Sequence, residues 1–203
     1  SKFRNSGQTC VCANRIFVQA GVHDEFVAKL VEKTRALKLG NGMDAGVTQG
    51  PLINQAALKK VEGFVEDAKA KGGRVLCGGE PTGGPGYFYP LTLVADATPD
   101  MRLVAEEQFG TALPIIKYSD LEDAIEQANS LEVGLGASAW SNDVEAAKAV
   151  ALRMQAGTCW VNRHAVLNPT MPMGGMKCSG IGVEFGVEGL KEYTNVQALS
   201  IAK

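Results

Sequence analysis

Leu113-Pro114-Ile115-Ile116-Lys117-Tyr118-Ser119-Asp120-Leu121-Glu122 is a run of apolar residues that passes directly into a helix start. The first six residues read as a strand. Ser119 to Glu122 has the Ser-x-x-Glu form of a capping box, so a helix should run to about Asn129. Downstream, Ala137 to Trp140 reads as a strand, Asn142 as the cap of a helix carrying Val144, Ala147, Ala151 and Met154, and Thr158 to Asn162 as another strand. Alternation of this kind argues for an α/β fold with a largely parallel sheet flanked by helices.

The pattern also extends upstream. Arg15 to Gln19 reads as a short strand, and Phe26, Val27, Leu30, Val31 and Leu37 recur at helical spacing, with Asp24 and Glu25 at the positive helix end. A second stripe, Leu58, Val61, Val65 and Ala68, begins after Asn54 as N-cap and ends at Gly72-Gly73. Arg74 to Cys77 should be a strand, 78–86 a Gly/Pro-rich surface loop and Tyr87 to Val94 extended. Glu184 to Tyr193 reads as a last helix, and Val196 to Ile201 alternates as a strand would. We therefore divide the chain into one domain over residues 1–193 and a C-terminal strand over 194–203. A terminal strand with an apolar face should complete another sheet, such as one on a second subunit.

Composition narrows the function classes. Of 203 residues 45% are hydrophobic and 21% charged, as in chains that fold, and the formal charge of -2 comes without a basic stripe. Nucleic acid is not an expected partner, and neither is a membrane, since no apolar stretch reaches bilayer length. Five cysteines, with no Cys-x-x-Cys, and two histidines suit free thiols in a reducing, cytoplasmic setting, and no metal site is expected.

One thiol stands apart. Phe3-Arg4-Asn5-Ser6-Gly7-Gln8-Thr9-Cys10 places a cysteine just after a glycine turn, where exposed backbone amides can face the sulfur and an oxygen bound to its target. The stretch resembles the active-site signature of the aldehyde dehydrogenase superfamily, an aromatic residue followed by Gly-Gln or Gly-Glu, any residue and the catalytic cysteine. Three further stretches are similar to that family in the same order: Glu106-Glu107-Gln108-Phe109-Gly110, Gly157-Thr158-Cys159-Trp160-Val161-Asn162, and Pro172-Met173-Gly174-Gly175-Met176-Lys177-Cys178-Ser179-Gly180.

The resemblance implies a Rossmann-like catalytic domain with an oligomerisation strand, NAD or NADP as cofactor, and a small-molecule aldehyde as substrate. It makes Cys10 the nucleophile, which forms a thiohemiacetal and then a thioester. Glu184 matches a second carboxylate that helps relay protons. Glu107 matches the carboxylate that holds the nicotinamide ribose, and Phe109 the ring beside the nicotinamide. Residues 164–173 match the loop at the substrate entrance, with Leu167 and Met173 where aromatics are common, and Asn162 would support that loop. The resemblance also implies a homo-oligomer in the full-length protein.

Some details depart from the family. Thr111 replaces the usual proline after Gly110, and Val183 stands where many relatives carry arginine. The substrate loop lacks a clear anion-binding pattern, although the Gly-Gln-Thr-Cys-Val-Cys-Ala-Asn-Arg stretch most resembles the semialdehyde dehydrogenase branch. The family's general base, its oxyanion-hole asparagine and its nucleotide-binding half precede the cysteine motif. The chain is therefore expected to be a portion of a longer protein, inactive in oxidation by itself.

Two glycine patterns are decoys for a dinucleotide fingerprint. Gly134-Leu135-Gly136-Ala137-Ser138-Ala139 leads into a strand instead of following one, and Gly180-Ile181-Gly182 has its next glycine, Gly186, one position late. Cys10 and Cys12 are close enough in sequence to raise a disulfide that would silence the nucleophile. Two other functions remain open on the sequence: a thiol esterase that uses Cys10 without nicotinamide, and a non-catalytic assembly module that keeps the fold.

Overall fold

The computed structural model describes residues 1–202, and the chain divides into two units, Ser1–Ala128 and Asn129–Lys203. In the first unit β1 (Ile16–Gln19), β2 (Arg74–Cys77), β3 (Thr92–Ala95) and β4 (Ala112–Tyr118) form one sheet in the order β1-β4-β3-β2. Central β4 runs parallel to both neighbours, β1 and β3, and β2 closes one edge antiparallel to β3. The helices are α1 (His23–Arg35), α2 (Gln55–Ala70), the single turn α3 (Arg102–Ala105) and α4 (Leu121–Asn129).

Alternation along the strands distributes side chains to two cores. Leu93, Leu113 and Ile115 join Phe3 and Val18, with Val27, Leu30 and Val31 of α1 packed against them. Val94, Ala112 and Ile116 join Leu58, Val61, Phe64 and Val65 of α2. A strand buried on both faces must be apolar throughout, which is why 113–116 reads as a continuous run. Each Leu, Val or Phe withdrawn from water here contributes about 1.5–3 kcal/mol.

The helix ends show where local chemistry decides. Asn54 Oδ1 accepts from the Ala57 amide at 2.9 Å, as its position before the apolar stripe suggested. At α4 the expected cap, Ser119, is displaced by one residue: Asp120 Oδ1 accepts from the amides of Glu122 at 2.7 Å and Asp123 at 3.3 Å. The other end of α4 is closed by Arg15, whose guanidinium donates to Gln127 O at 2.8 Å and Ala128 O at 2.9 Å. Burial pulls the Arg15 pKa down to about 10, so the cation persists at neutral pH beside the negative helix end. The extended segment from Tyr87 becomes a strand only at Thr92, because Pro90 has no amide to give a ladder.

The second unit contains β5 (Val133–Gly134), β6 (Gly136–Ala139), α5 (Val144–Ala151), β7 (Thr158–Val161), β8 (Met173–Gly174), β9 (Met176–Lys177), β10 (Val183–Glu184) and α6 (Gly186–Lys191). Strands β6 and β7 are parallel, joined through α5, and Ala139, Ala147 and Ala151 form their small core with Val150, Cys159 and Val161. Two antiparallel ladders, β5 with β9 and β8 with β10, hold the glycine-rich segments. Asp143, not Asn142, caps α5, accepting from the Ala146 amide at 3.0 Å.

The last helix is shorter than 184–193. Glu184 lies in β10, and Phe185 takes a φ of 61°, a left-handed conformation that a right-handed helix cannot pass through. Residues 194–202 join no strand of this chain, and Val196, Leu199 and Ile201 are exposed. The last residue of the expected terminal strand, Lys203, lies outside the described residues.

At Gly157 the backbone approaches the glycine-rich segment closely: a Cβ there would sit 1.7 Å from Gly174 O. Gly157→Ala should therefore lower the stability of this unit by about 3 kcal/mol. Urea unfolding followed by the fluorescence of Trp160, a buried residue of the same unit, checks this. An unshifted midpoint would show that the approach carries no constraint.

Candidate active site

Cys10 is exposed and sits at a corner of the turn closed by the Cys12 amide on Thr9 O at 2.9 Å. The approach to this turn is a left-handed run, with φ of 50° at Asn5, 54° at Ser6 and 79° at Gly7. Such conformations cost about 1–3 kcal/mol each for side-chain-bearing residues and persist only when the surroundings hold them. Gln8 is the main holder. Its Oε1 accepts from the Ile53 amide at 2.8 Å, and its Nε2 donates to Asn5 O at 3.2 Å and Pro51 O at 3.4 Å. Ser6 Oγ donates to Gly50 O at 2.7 Å, and Asn5 Nδ2 to Gln8 O at 3.1 Å. The segment from Gly50 to Ile53, to which sequence analysis gave no role, is thus the floor on which the thiol turn rests.

The second motif meets the first at a glycine. A Cβ on Gly7 would lie 1.9 Å from Gly110 O, so only hydrogen fits between the cysteine loop and the end of Glu107-Gln108-Phe109-Gly110. Of that segment Glu107 is exposed, Gln108 buried, and Phe109 stands 42% exposed with a φ of 46°. Cys10, Glu107 and Phe109 therefore belong to one unit, on two loops in backbone contact.

Two residues missed by sequence analysis hold this segment. Lys2 is buried, and its Nζ donates to Gln108 Oε1 at 3.0 Å. Gln108 Nε2 donates in turn to Leu103 O, and its amide to Asn14 Oδ1 at 3.4 Å. Burial pulls the Lys2 pKa down to about 8, partly opposed by the nearby charges of Cys12 and Glu107. A lysine at position 2 offers no sequence signal for burial, since isolated lysines are normally solvated.

Leu167, Met173 and Glu184 lie in the second unit. Glu184 pairs with Met173 in the β8–β10 ladder, so two residues singled out for different roles share one register position. Glu184 is exposed, and its backbone belongs to a ladder rather than to a helix N-terminus. Leu167 is exposed on the loop after His164. That loop is fastened from below: Trp160 Nε1 donates to Val166 O at 2.9 Å, and the rings of Trp160 and His164 lie 5.2 Å apart. His164 Nδ1 lies 3.0 Å from Ser138 Oγ. Asn162, with a φ of 52°, exchanges two hydrogen bonds of 2.9 Å with the Ser141 backbone, a fixed corner from which the loop departs.

All five cysteines are free, Cys10 and Cys12 included; Cys12 Sγ lies 3.6 Å from Arg4 O. Among the described residues no group of three or more His, Cys, Asp and Glu is arranged to hold a metal, and no helix is long and apolar enough to cross a membrane.

Residues 1–199 match the aldehyde dehydrogenase family, and the chain belongs to that family. Among curated relatives, it is 41% identical to aldehyde dehydrogenase 1A1 of Bos taurus over 98% of this chain and 40% of that protein. It is 44% identical to mitochondrial succinate-semialdehyde dehydrogenase of Rattus norvegicus over 97% of this chain and 38% of that protein. Among solved structures it is similar to lactaldehyde dehydrogenase from Escherichia coli, with a TM-score of 0.91, 38% identity, and coverage of 97% of this chain and 41% of that one. The chain thus spans about two-fifths of the length of the relatives it matches. The α/β fold with a parallel sheet, expected from the sequence, is the fold of these neighbours.

The thiols should separate in reactivity. Burial pushes the pKa values of Cys77 and Cys159 up, whereas Cys10 is exposed on its turn. Alkylation of the folded chain at neutral pH, followed by peptide mapping, should modify Cys10 first, and Cys77 and Cys159 at least about tenfold more slowly. Modification of Cys77, Cys159 or the exposed Cys178 ahead of Cys10 would count against the nucleophile assignment.

Proposed function

We propose that the protein oxidises a small-molecule aldehyde to its carboxylic acid with NAD or NADP, using Cys10 as nucleophile. The observation that carries this reading is the contact of Gly7 with Gly110, which fixes an exposed thiol turn against the loop bearing Glu107 and Phe109. The residues fit a nicotinamide nucleotide. Glu107 offers a solvent-facing carboxylate able to accept from two ribose hydroxyls, and the partly exposed Phe109 ring offers an apolar face beside it. When bound, the nicotinamide supplies the acceptor for the hydride that leaves the aldehyde carbon.

Cys10 forms and breaks the covalent bond to the substrate. Cys10 as thiolate adds to the aldehyde carbon, forming the C–S bond, and the carbonyl oxygen becomes an oxyanion that the Cys10 amide helps to hold. Loss of hydride from that carbon leaves a thioester. Water then adds to it, the C–S bond breaks, and Cys10 returns as the acid departs. Glu184 takes part in the proton relay of that step. Leu167 and Met173 line the entrance as flexible aliphatic groups, suited to an adaptable aldehyde pocket. The identity to a succinate-semialdehyde dehydrogenase supports the semialdehyde branch for the substrate.

Val196, Leu199 and Ile201, exposed at the end of the chain, support a homo-oligomer in which 194–203 pairs with a sheet of another copy. Free thiols support a cytoplasmic site.

Two experiments test the reading. The natural protein should reduce NAD or NADP in an aldehyde-dependent manner, and Cys10→Ala should abolish turnover, a loss of at least about a thousandfold. The 203 residues by themselves should be acylated at Cys10 by an activated ester without reducing cofactor, because orientation of the nicotinamide, worth roughly 7–11 kcal/mol, cannot come from Glu107 and Phe109 alone. Acylation by the natural protein with no cofactor reduction for any aldehyde would favour a thiol esterase instead. Separately, removal of 194–203 should shift the oligomer distribution in sedimentation. Identical profiles for truncated and intact chains would rule out the pairing strand.

A further inference from the structure

The mechanism makes no use of the buried cation beneath the site. Lys2 is only 5% exposed, and a buried ammonium is costly unless it is bonded. Its recorded hydrogen-bond partner is the side-chain oxygen of Gln108, at 3.0 Å. Gln108 is itself buried, anchored by its other amide atom to Leu103 O and by its backbone to Asn14. It lies between Glu107 and Phe109, whose φ of 46° is left-handed and must be enforced from outside. The enforcement comes from both flanks: Gly110 is confined by Gly7, and Gln108 by Lys2. Both confining residues belong to the stretch that leads into Cys10.

We propose that Lys2 is a positioning residue which, through Gln108, sets the placement of Glu107 and Phe109 relative to the Cys10 turn and thereby the affinity for the nicotinamide cofactor. This rests on the dehydrogenase reading above, but the arrangement predicts a conformational effect that is measurable without turnover. A lysine side chain crossing from one loop to the other couples them more firmly than an apolar residue would, since a bond from a charged donor has both direction and length. Cys10 itself makes no contact with Lys2 in this scheme, so its intrinsic acylation is independent of it.

The test uses Lys2→Met, which keeps the length and apolar stem and removes the donor. In hydrogen–deuterium exchange of the 203-residue chain, the peptide covering residues 106–111 should exchange about tenfold faster, while peptides of β4 and α2 are unchanged. In the natural protein the KM for NAD or NADP should rise about tenfold, equivalent to 1.4 kcal/mol. The rate of Cys10 acylation by an activated ester should stay within about twofold of the parent. Gln108→Leu, which also removes the bond to Leu103 O, should produce at least as large an exchange change. The double variant should be no worse than Gln108→Leu alone, because Lys2 acts through Gln108.

Unchanged exchange at residues 106–111 in Lys2→Met, or an unchanged cofactor KM in an active protein, would overturn the proposal. Loss of acylation in parallel with the rise in KM would also overturn it, since that pattern marks general loosening of the fold. If the parent protein shows no aldehyde-dependent cofactor reduction, the dehydrogenase reading fails, while the exchange measurement still decides whether Lys2 positions the loop.

Discussion

Two backbones can approach as closely as those at Gly7 and Gly110 only where neither carries an intervening side chain. A carbonyl oxygen 1.9 Å from the place a Cβ would occupy leaves no room for a methyl group, so the cysteine loop and the Glu107 loop are set by exclusion. The left-handed run from Asn5 to Gly7 and the bonds of Gln8 to residues 51–53 hold the Cys10 turn in that approach. Hydrophobic burial in the first unit supplies the stability that keeps these conformations in place. Asn5, Ser6 and Phe109 would relax to ordinary φ values if the packing of α2 and β4 beneath them were lost.

The parts of the fold legible in the sequence are those governed by periodicity. Strand β4 is apolar because both of its faces are buried, and α2 shows its stripe because one face is. Local chemistry was legible to within one residue: Ser119 and Asp120, like Asn142 and Asp143, are neighbouring capping residues, and the choice between them is made by where the preceding strand releases the chain. The end of the chain was less legible. The apolar spacing after Glu184 suits a helix, but the turn at Phe185 and the pairing of Glu184 with Met173 are tertiary requirements of the glycine-rich segment.

The candidate site divides in the same way. Cys10, Glu107 and Phe109 could be named because they stand in short motifs with fixed spacing. Lys2, Gln108 and the segment from Gly50 to Ile53 could not, because their roles depend on contacts between positions 43 to 106 residues apart. A lysine in a sequence is read as solvated. Only the fold shows that its ammonium is buried, with a pKa drawn down to about 8.

The glycines give the clearest lesson in how a pattern should be weighed. Gly134, Gly136, Gly180, Gly182 and Gly186 invite comparison with phosphate-binding loops, but a pyrophosphate cradle requires a glycine turn that follows a strand and opens a helix. Here Gly134 and Gly136 lie in strands, and a Cβ on Gly134 would meet Gln155 O at 2.0 Å. Gly157 meets Gly174 O at 1.7 Å in the same sense. The Gly7–Gly110 device is therefore repeated within the second unit, for the same physical reason: backbone segments are brought together by removing the side chains between them. At Gly7, Gly134 and Gly157 glycine marks the contact of two backbone segments, whereas Gly180 and Gly182, with φ of 104° and 94° and open space around them, serve turns; neither use follows from the geometry of a phosphate.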